Sequence, residues 1–444
     1  MSANSKDKFP ARIRQFGVWS MLLASGATTC DQRALAGQVI ANAVVQPQVV
    51  TLDQQDQPNE MDVFTPAGET PVSTLPEIFR YGQLQLRPHA DYTFLYGTGL
   101  QNVPGDQQES IVQELSTGIL MNLGRHWTVD YTPTFQFYSN SKFKDSVNHA
   151  ATLTGGVAYE DWVFSLTHNS EFTSSPLVET GSQTDQSLHT TSLGASHPIN
   201  SRLSVDFGLS QNITLVSGLQ DSYDWSTMEW LNYIFGPRLN IGIGAGGGYV
   251  LVDESSQGNA QFGGQSGNGN QYYEQLQGRL NWRATQKISF QINAGFEDRQ
   301  FETGGVGDSF NPIFGASIQY QPFKATQISL SASRTVGSSS YYQASQESVT
   351  TTVNLTLDQK LFRNYDLSGS VGYSEDEYNT PAGGAPNNSA NRNDSGVSFT
   401  ARLSHPFFKR ARWSVFYQYS DNTSSQAGYG FQSNQSGFEL SYSY

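Results

Sequence analysis

Apolar and polar residues alternate one for one over stretches of 10 to 14 residues through most of the chain beyond Tyr81. In Lys287–Glu297 the apolar positions are Ile288, Phe290, Ile292, Ala294 and Phe296, and Ser289, Gln291 and Asn293 stand between them. Trp127, Val129, Tyr131, Phe135 and Phe137 alternate in the same way with Thr128, Asp130, Thr132, Thr134 and Gln136. Val353, Leu355 and Leu357 do so with Thr352, Asn354, Thr356 and Asp358. A period of two is the mark of an extended strand with one apolar face. Soluble strands usually run about 5–6 residues, whereas tilted membrane-spanning strands need about 9–11. Alternation this long points to strands that cross a bilayer. Beyond the N-terminus no run of 18 apolar residues occurs, which excludes helical spans.

Composition agrees. Charged residues make up 14% of the 444 residues, against about 25% in an average soluble domain. Their place is taken by 42 glycines and by Ser, Thr, Asn and Gln. Aromatics reach 12%, which excludes a disordered chain. The single cysteine, Cys30, excludes a disulfide scaffold and a multi-cysteine metal site. A net charge of −14 argues against nucleic acid as a partner. Polar, aromatic, Gly-rich and poor in charge is the composition of a transmembrane β-barrel.

Short connections punctuate the alternation at Gly124-Arg125-His126, Glu160-Asp161, Pro198-Ile199-Asn200 and Gly236-Pro237. They recur at Ala284-Thr285, Pro322-Phe323-Lys324, Phe362-Arg363-Asn364 and Phe407-Phe408-Lys409. Each interval holds two strands and one longer polar, Gly-rich segment such as Ser255–Asn270 or Thr380–Asn393. Short turns on one side and long loops on the other are the architecture of bacterial barrels. Eight turns join sixteen strands, and a strand on each flank makes eighteen, with sixteen as the alternative. The first strand is expected at about Gln83–Gly97 and the last at about Gly430–Tyr444. The fold class is therefore all-β: a transmembrane, antiparallel, up-and-down barrel over residues 81–444. At this size its interior is wide enough for water.

The N-terminus reads as an export signal over residues 1–36. Lys6, Lys8, Arg12 and Arg14 precede the apolar stretch Phe16–Ala27, and Ala34-Leu35-Ala36 supplies small residues for cleavage after Ala36. Lipidation at Cys30 is the rival reading. Residues 37–80, with Pro47, Pro58, Pro66, Pro71 and Pro76, read as an extended periplasmic linker. They are too few for the folded plug of an active transporter.

Three residue sets carry functional expectations. Alternation places Arg87, Asp91, Asp130, Asp206, Arg279, Lys287, Glu297, Asp358, Asp366 and Arg402 on the lumen face. Charges there set a transverse field that tunes selectivity, or pair across neighbouring strands; the residues alone leave both open. Trp127, Trp162, Tyr233, Trp282, Tyr320, Tyr365 and Trp413 fall where strands meet turns, as an interfacial girdle requires. The chain ends with Gly437, Phe438, Leu440, Tyr442 and Tyr444 in a strand-like pattern, resembling the assembly signal of outer-membrane barrels.

Other motifs favour plain readings. Gly242, Gly244, Gly246, Gly247 and Gly248 lie in an alternating strand with no helix to follow, so they make a smooth inner wall or a bend rather than a phosphate cradle. His168-Asn169-Ser170 resembles the His-x-Ser element of outer-membrane phospholipases, but that family's aromatic and Gly surroundings are missing and position 182 is Ser where it places Asn. The remaining histidines are scattered singly, so no metal or other cofactor is expected.

Gly315-Ala316-Ser317-Ile318-Gln319-Tyr320, running into Pro322-Phe323-Lys324-Ala325-Thr326, Ile328-Ser329-Leu330-Ser331 and Arg334, resembles the β-barrel porin type 2 family. Leu86-Arg87-Pro88-His89 and the Tyr-rich last strand fit the same pattern. The resemblance implies an outer-membrane barrel often associated with exopolysaccharide export, and it brings no catalytic residues. The expectation is a single monomeric porin-like channel in the outer membrane of a Gram-negative bacterium, passing hydrophilic solutes, with an exported polysaccharide among them. Its expected partners are the lipid bilayer, lipopolysaccharide, the barrel-assembly machinery and polysaccharide-export components. A barrel enzyme and a surface adhesion barrel stand as the alternatives.

Overall fold

The computed structural model describes residues 79–444 apart from 104, 178–181, 218–220, 254–269, 303–306, 339–346, 363 and 380–391. The expected signal and nearly all of the linker lie outside the described residues. Strand β1 (Arg80–Tyr81) is a two-residue bridge at the foot of β2 (Leu84–Val103). Then follow β3 (Asp106–Leu123), β4 (Trp127–Tyr138), β5 (Ser146–Tyr159), β6 (Trp162–Leu177), β7 (Ser182–Pro198) and β8 (Leu203–Val216). The sheet continues with β9 (Asp221–Gly236), β10 (Leu239–Asp253), β11 (Gln271–Arg283), β12 (Ile288–Phe301) and β13 (Ser309–Phe323). It ends with β14 (Thr326–Ser338), β15 (Glu347–Leu361), β16 (Tyr365–Asn379), β17 (Arg392–Phe408), β18 (Ala411–Ser424) and β19 (Phe431–Ser443). Each strand from β2 to β19 pairs antiparallel with its sequence neighbours, and β19 pairs with β2, which closes an eighteen-stranded barrel. Sixteen strands is ruled out.

The long spanning strands measure 12 to 20 residues, and the eight short turns fall within two residues of their expected places. At the first of these, Gly124 adopts φ +68° and donates its N–H to the carbonyl of Gln83 at 3.0 Å. The other end carries the longest connections, 254–270 between β10 and β11 and 380–391 between β16 and β17, while β2 and β3 are only two residues apart in sequence. The first strand therefore reaches six residues beyond the expected Gly97, past a register shift between Gly97 and Leu100.

Apolar side chains point outward. Ile292, Phe296, Ile243 and Leu276 are 44%, 52%, 59% and 57% exposed, which in a water-soluble sandwich would be inverted. Polar residues such as Thr132, Gln136, Asn232 and Gln277 are buried on the opposite face. Ile292→Arg is expected to destabilise the inserted barrel by about 2–4 kcal/mol, the cost of a cation at mid-membrane on the lipid face. Urea unfolding from lipid vesicles measures it, and an unchanged midpoint would mean that the faces are reversed.

The cross-section is not round. β2 passes within 8 Å, Cα to Cα, of β6 and of β7, though β3, β4 and β5 lie between them in the sheet. Four inter-strand steps of about 4.8 Å span about 19 Å of sheet. The wall from β2 to β7 thus folds back on itself. On the inner face of that wall Ser165 and Thr167 of β6 pair in register with Gly194 and Ser192 of β7.

Candidate functional site: the inner wall

The inner face is built around a row without side chains. Gly242, Gly244, Gly246 and Gly248 line the lumen side of β10, while Ile241, Ile243 and Leu251 on its other face are exposed outward. The plain reading of the glycine motif is the one the fold supports. Across this bare strip lie the buried side chains of β9 (Asp224, Ser226, Met228, Trp230, Asn232) and of β11 (Gln271, Tyr273, Gln275, Gln277, Arg279). A Cβ on Gly244 would lie 2.6 Å from the Trp230 ring, and one on Gly242 would lie 2.9 Å from Cγ of Arg279. Only glycine leaves room for them.

Arg279, on β11, uses that room to reach Asn232 two strands away on β9 and Asp206 three strands away on β8. Its Nε donates to Oδ1 of Asn232 at 2.7 Å and its Nη2 to Oδ2 of Asp206 at 2.6 Å. Asn232 Nδ2 donates to the same Asp206 oxygen at 2.7 Å, and the Ser196 hydroxyl donates to Oδ1 at 2.7 Å. The guanidinium also lies 4.4 Å from the centre of the Trp230 ring, so the cation is matched by a carboxylate and by a π face.

The same construction recurs around the wall. Glu297 accepts from Arg299 Nε at 2.8 Å and from Gln275 Nε2 at 2.7 Å. Arg299 continues to Gln271 at 2.9 Å and covers the Tyr273 ring at 4.8 Å. Tyr273 in turn donates its hydroxyl to Asp224 at 3.1 Å. Arg402 pairs with Glu439 at 2.8 Å, and Asp366 with Arg412 at 3.1 Å. His89 sets Nε2 3.1 Å from Asp130 and Nδ1 3.9 Å from Asp91. Near the loop end Arg392 pairs with Asp394 at 2.8 Å and lies between the Tyr378 and Tyr429 rings.

Of the ten charges assigned to the lumen, nine sit on the inner face of a strand. Lys287 does not. It lies in the turn before β12, exposed, and donates Nζ to the carbonyl of Pro322 at 2.7 Å, because the alternation carried back from Ile288 ends where the strand begins. Arg87 is partly buried on β2, and Asp358 is exposed near the short-turn end of β15. Arg299, Arg412, Glu439 and Asn232 join the networks without having been singled out in the sequence. Arg299 was accessible there, two residues from Glu297 and so on the same face; its pairing was not, since that depends on register.

The aromatic set falls at the short-turn ends of its strands. Trp162 stacks on His197 at 4.7 Å, Trp282 on Phe290 at 5.2 Å, and His405 lies 4.4 Å from Tyr365 and 6.1 Å from Trp413. Trp127, Tyr233 and Tyr320 occupy equivalent ends of β4, β9 and β13. The terminal residues form the closing seam. Phe438 stacks on Phe94 of β2 at 5.5 Å, with Tyr92 at 6.1 Å, and Leu440 stands opposite Tyr92. Gly437 leaves space for Phe416, whose Cζ would lie 2.7 Å from an added Cβ. Tyr442 pairs with Ala90, and the Tyr444 ring lies under the Arg410 guanidinium at 3.6 Å.

His168 and Ser170 share the outward face of β6 but are not partners. His168 Nδ1 lies 2.9 Å from the Thr191 hydroxyl and Ser170 Oγ lies 2.8 Å from His189 Nδ1, both across to β7. Among the described residues no group of His, Cys, Asp and Glu could hold a metal ion.

Residues 258–444 match the family "Putative beta-barrel porin 2". This is the family that the β13–β14 motifs resemble. No curated protein matches the chain. Similar solved structures include the siderophore receptor PirA from Pseudomonas aeruginosa, 8% identical over 81% of this chain and 80% of that one, with a TM-score of 0.42. OpdO from Pseudomonas aeruginosa is 13% identical over 81% and 97%, at 0.41. OccAB3 from Acinetobacter baumannii is 9% identical over 81% and 99%, at 0.43. The protein is an eighteen-stranded β-barrel of the bacterial outer membrane, and its residues 258–444 are similar to a porin family.

Proposed function

We propose that the barrel is a passive, non-enzymatic channel for hydrophilic, mainly uncharged solutes, with sugar chains as the substrate class. The carrying observation is the pairing of the inner wall. Asp206, Glu297, Asp366 and Arg402 each have an opposite charge within hydrogen-bonding distance. Such a wall presents amides, hydroxyls and ring faces rather than bare charge, which suits sugars more than ions. Export of a polysaccharide rests on the family resemblance. On this reading the partners are lipid, lipopolysaccharide, the barrel-assembly machinery and polysaccharide-export components.

The enzyme alternative has one observation in its favour, the Ser170–His189 hydrogen bond. A serine nucleophile also needs its base oriented by a third group. His189 instead packs edge-on against the Phe172 ring at 5.3 Å, which offers no acceptor of that kind. Purified protein in liposomes is expected to speed swelling in neutral sugars well above empty vesicles. In planar bilayers it is expected to conduct with weak preference between cations and anions. Neither swelling nor conductance, in barrels shown to be folded by heat-modifiable migration, would overturn the channel.

A further inference from the structure

The short-turn end of the barrel is basic and apolar together. Arg125, Arg202, Arg238, Lys324, Lys360 and Lys409 are exposed, each in or beside a different short turn. Lys287 supplies a seventh turn, and the eighth, Glu160-Asp161, carries acids instead. Among the described residues none of the six side chains enters an ion pair. Each lies within three residues of a large apolar side chain that is itself exposed: in the same order Leu123, Ile199, Phe235, Phe323, Phe362 and Phe408. Three residues of extended chain span about 10 Å. Phe323, Phe362 and Phe408 are 71%, 88% and 71% exposed, a large apolar surface for a rim facing water alone.

The loop end does not repeat this arrangement. Glu109, Glu274 and Asp298 stand on its outward face, and Glu274 and Asp298 are cross-strand partners. Arg334, outward at the same end, is paired with Glu377 at 3.6 Å. A ring beside a cation suits the boundary between acyl chains and headgroups, where the apolar body stays in lipid and the charge reaches the phosphates. Trp127, Tyr233 and Trp282 lie at these same strand ends and set the level of that boundary. The six cations therefore stand at the height of the phosphates. Basic side chains at a membrane surface attract anionic lipids, and in bacterial barrels the short turns face the periplasm.

We propose that the short-turn rim binds anionic phospholipids of the periplasmic leaflet, with phosphates against the six cations and acyl chains against the apolar side chains beside them. The test reconstitutes the purified full-length barrel in phosphatidylcholine vesicles with traces of spin-labelled phosphatidylglycerol or phosphatidylethanolamine. The motionally restricted part of the spectrum reports the lipid held at the protein surface. Phosphatidylglycerol is expected to be favoured about fivefold at each cation, or about twofold averaged with the shell lipids that touch none. In 1 M NaCl, where charges act over only about 3 Å, the preference should fall toward equality. The R125Q/R202Q/R238Q/K324Q/K360Q/K409Q variant is expected to lose it while keeping heat-modifiable migration. The K142Q/K144Q variant, changed at exposed lysines of the loop end, should retain it. Equal shares of the two lipids around the unmodified barrel overturn the proposal without any variant, as does a preference that survives in 1 M NaCl or in the six-site variant. Loss of the preference in K142Q/K144Q would assign it to overall charge and overturn the rim. Soluble poly-glutamate retained by a barrel with no lipid preference would assign the rim to an acidic protein, which also overturns it.

Discussion

Deleting Tyr442–Tyr444 is expected to abolish assembly: no heat-modifiable band and no protein in the outer-membrane fraction. These three residues hold the foot of the closing seam. Tyr442 pairs with Ala411 on one side and Ala90 on the other. Ser443 donates its N–H to the Arg410 carbonyl at 3.0 Å, and Tyr444 donates to the Pro88 carbonyl at 3.1 Å. The Tyr444 ring also packs against Phe79 at 5.0 Å. Side-chain hydrogen bonding with Tyr444, and then with Tyr442, holds the guanidinium of Arg410, in the turn before β18, above its ordinary pKa. Without the deleted residues, backbone groups of β2 and β18 lose their partners next to lipid, at several kcal/mol for each one in hydrocarbon. Tyr444→Phe keeps the ring and is expected to assemble. Normal membrane insertion of the truncated chain would show that closure does not depend on this seam.

The second large effect is expected inside the barrel. A lumen lined by bare, solvated charges would tolerate neutralising Arg87, Arg279, Lys287 and Arg402 together, with a shift toward cations and little effect on folding. The structure changes that expectation. Arg279 has a side chain only 3% exposed, against 15% for Asp206, and removing one partner of a buried pair costs about 3–5 kcal/mol. Arg279→Met is expected to lower barrel stability by that amount in urea titrations from lipid vesicles. Asp206→Asn in the same chain should recover part of it, because the two share one network and are not additive. Lys287→Gln, at an exposed turn, is expected to leave the midpoint unchanged. An Arg279→Met barrel as stable as the parent would mean that the wall is solvated and its charges are free to act on passing ions.

Much of this molecule is legible in the alternation alone. A period of two is a local property, so Ile292 and Phe296 declare the lipid face and Asn293 and Glu297 the inner face without knowledge of any neighbour. The turns are local as well, and counting them yields eighteen strands. The Phe438–Leu440–Tyr442 pattern marks the end of the last strand for the same reason. Lys287 shows where this stops, since parity continues on paper past the residue at which the strand begins.

What only the tertiary structure decides is pairing between strands. Asp206, Asn232 and Arg279 stand on β8, β9 and β11, and nothing in their spacing brings them together. Their meeting needs the register of three strand pairs and the space above Gly242. The approach of β2 to β6 and β7 is likewise a property of the closed sheet, since three or more strands separate them in it. Periodicity assigns a side chain to a face, because that depends only on its own backbone. Its partner depends on how far each neighbouring strand has slid and on which neighbours lack a Cβ, and those are properties of the closed sheet.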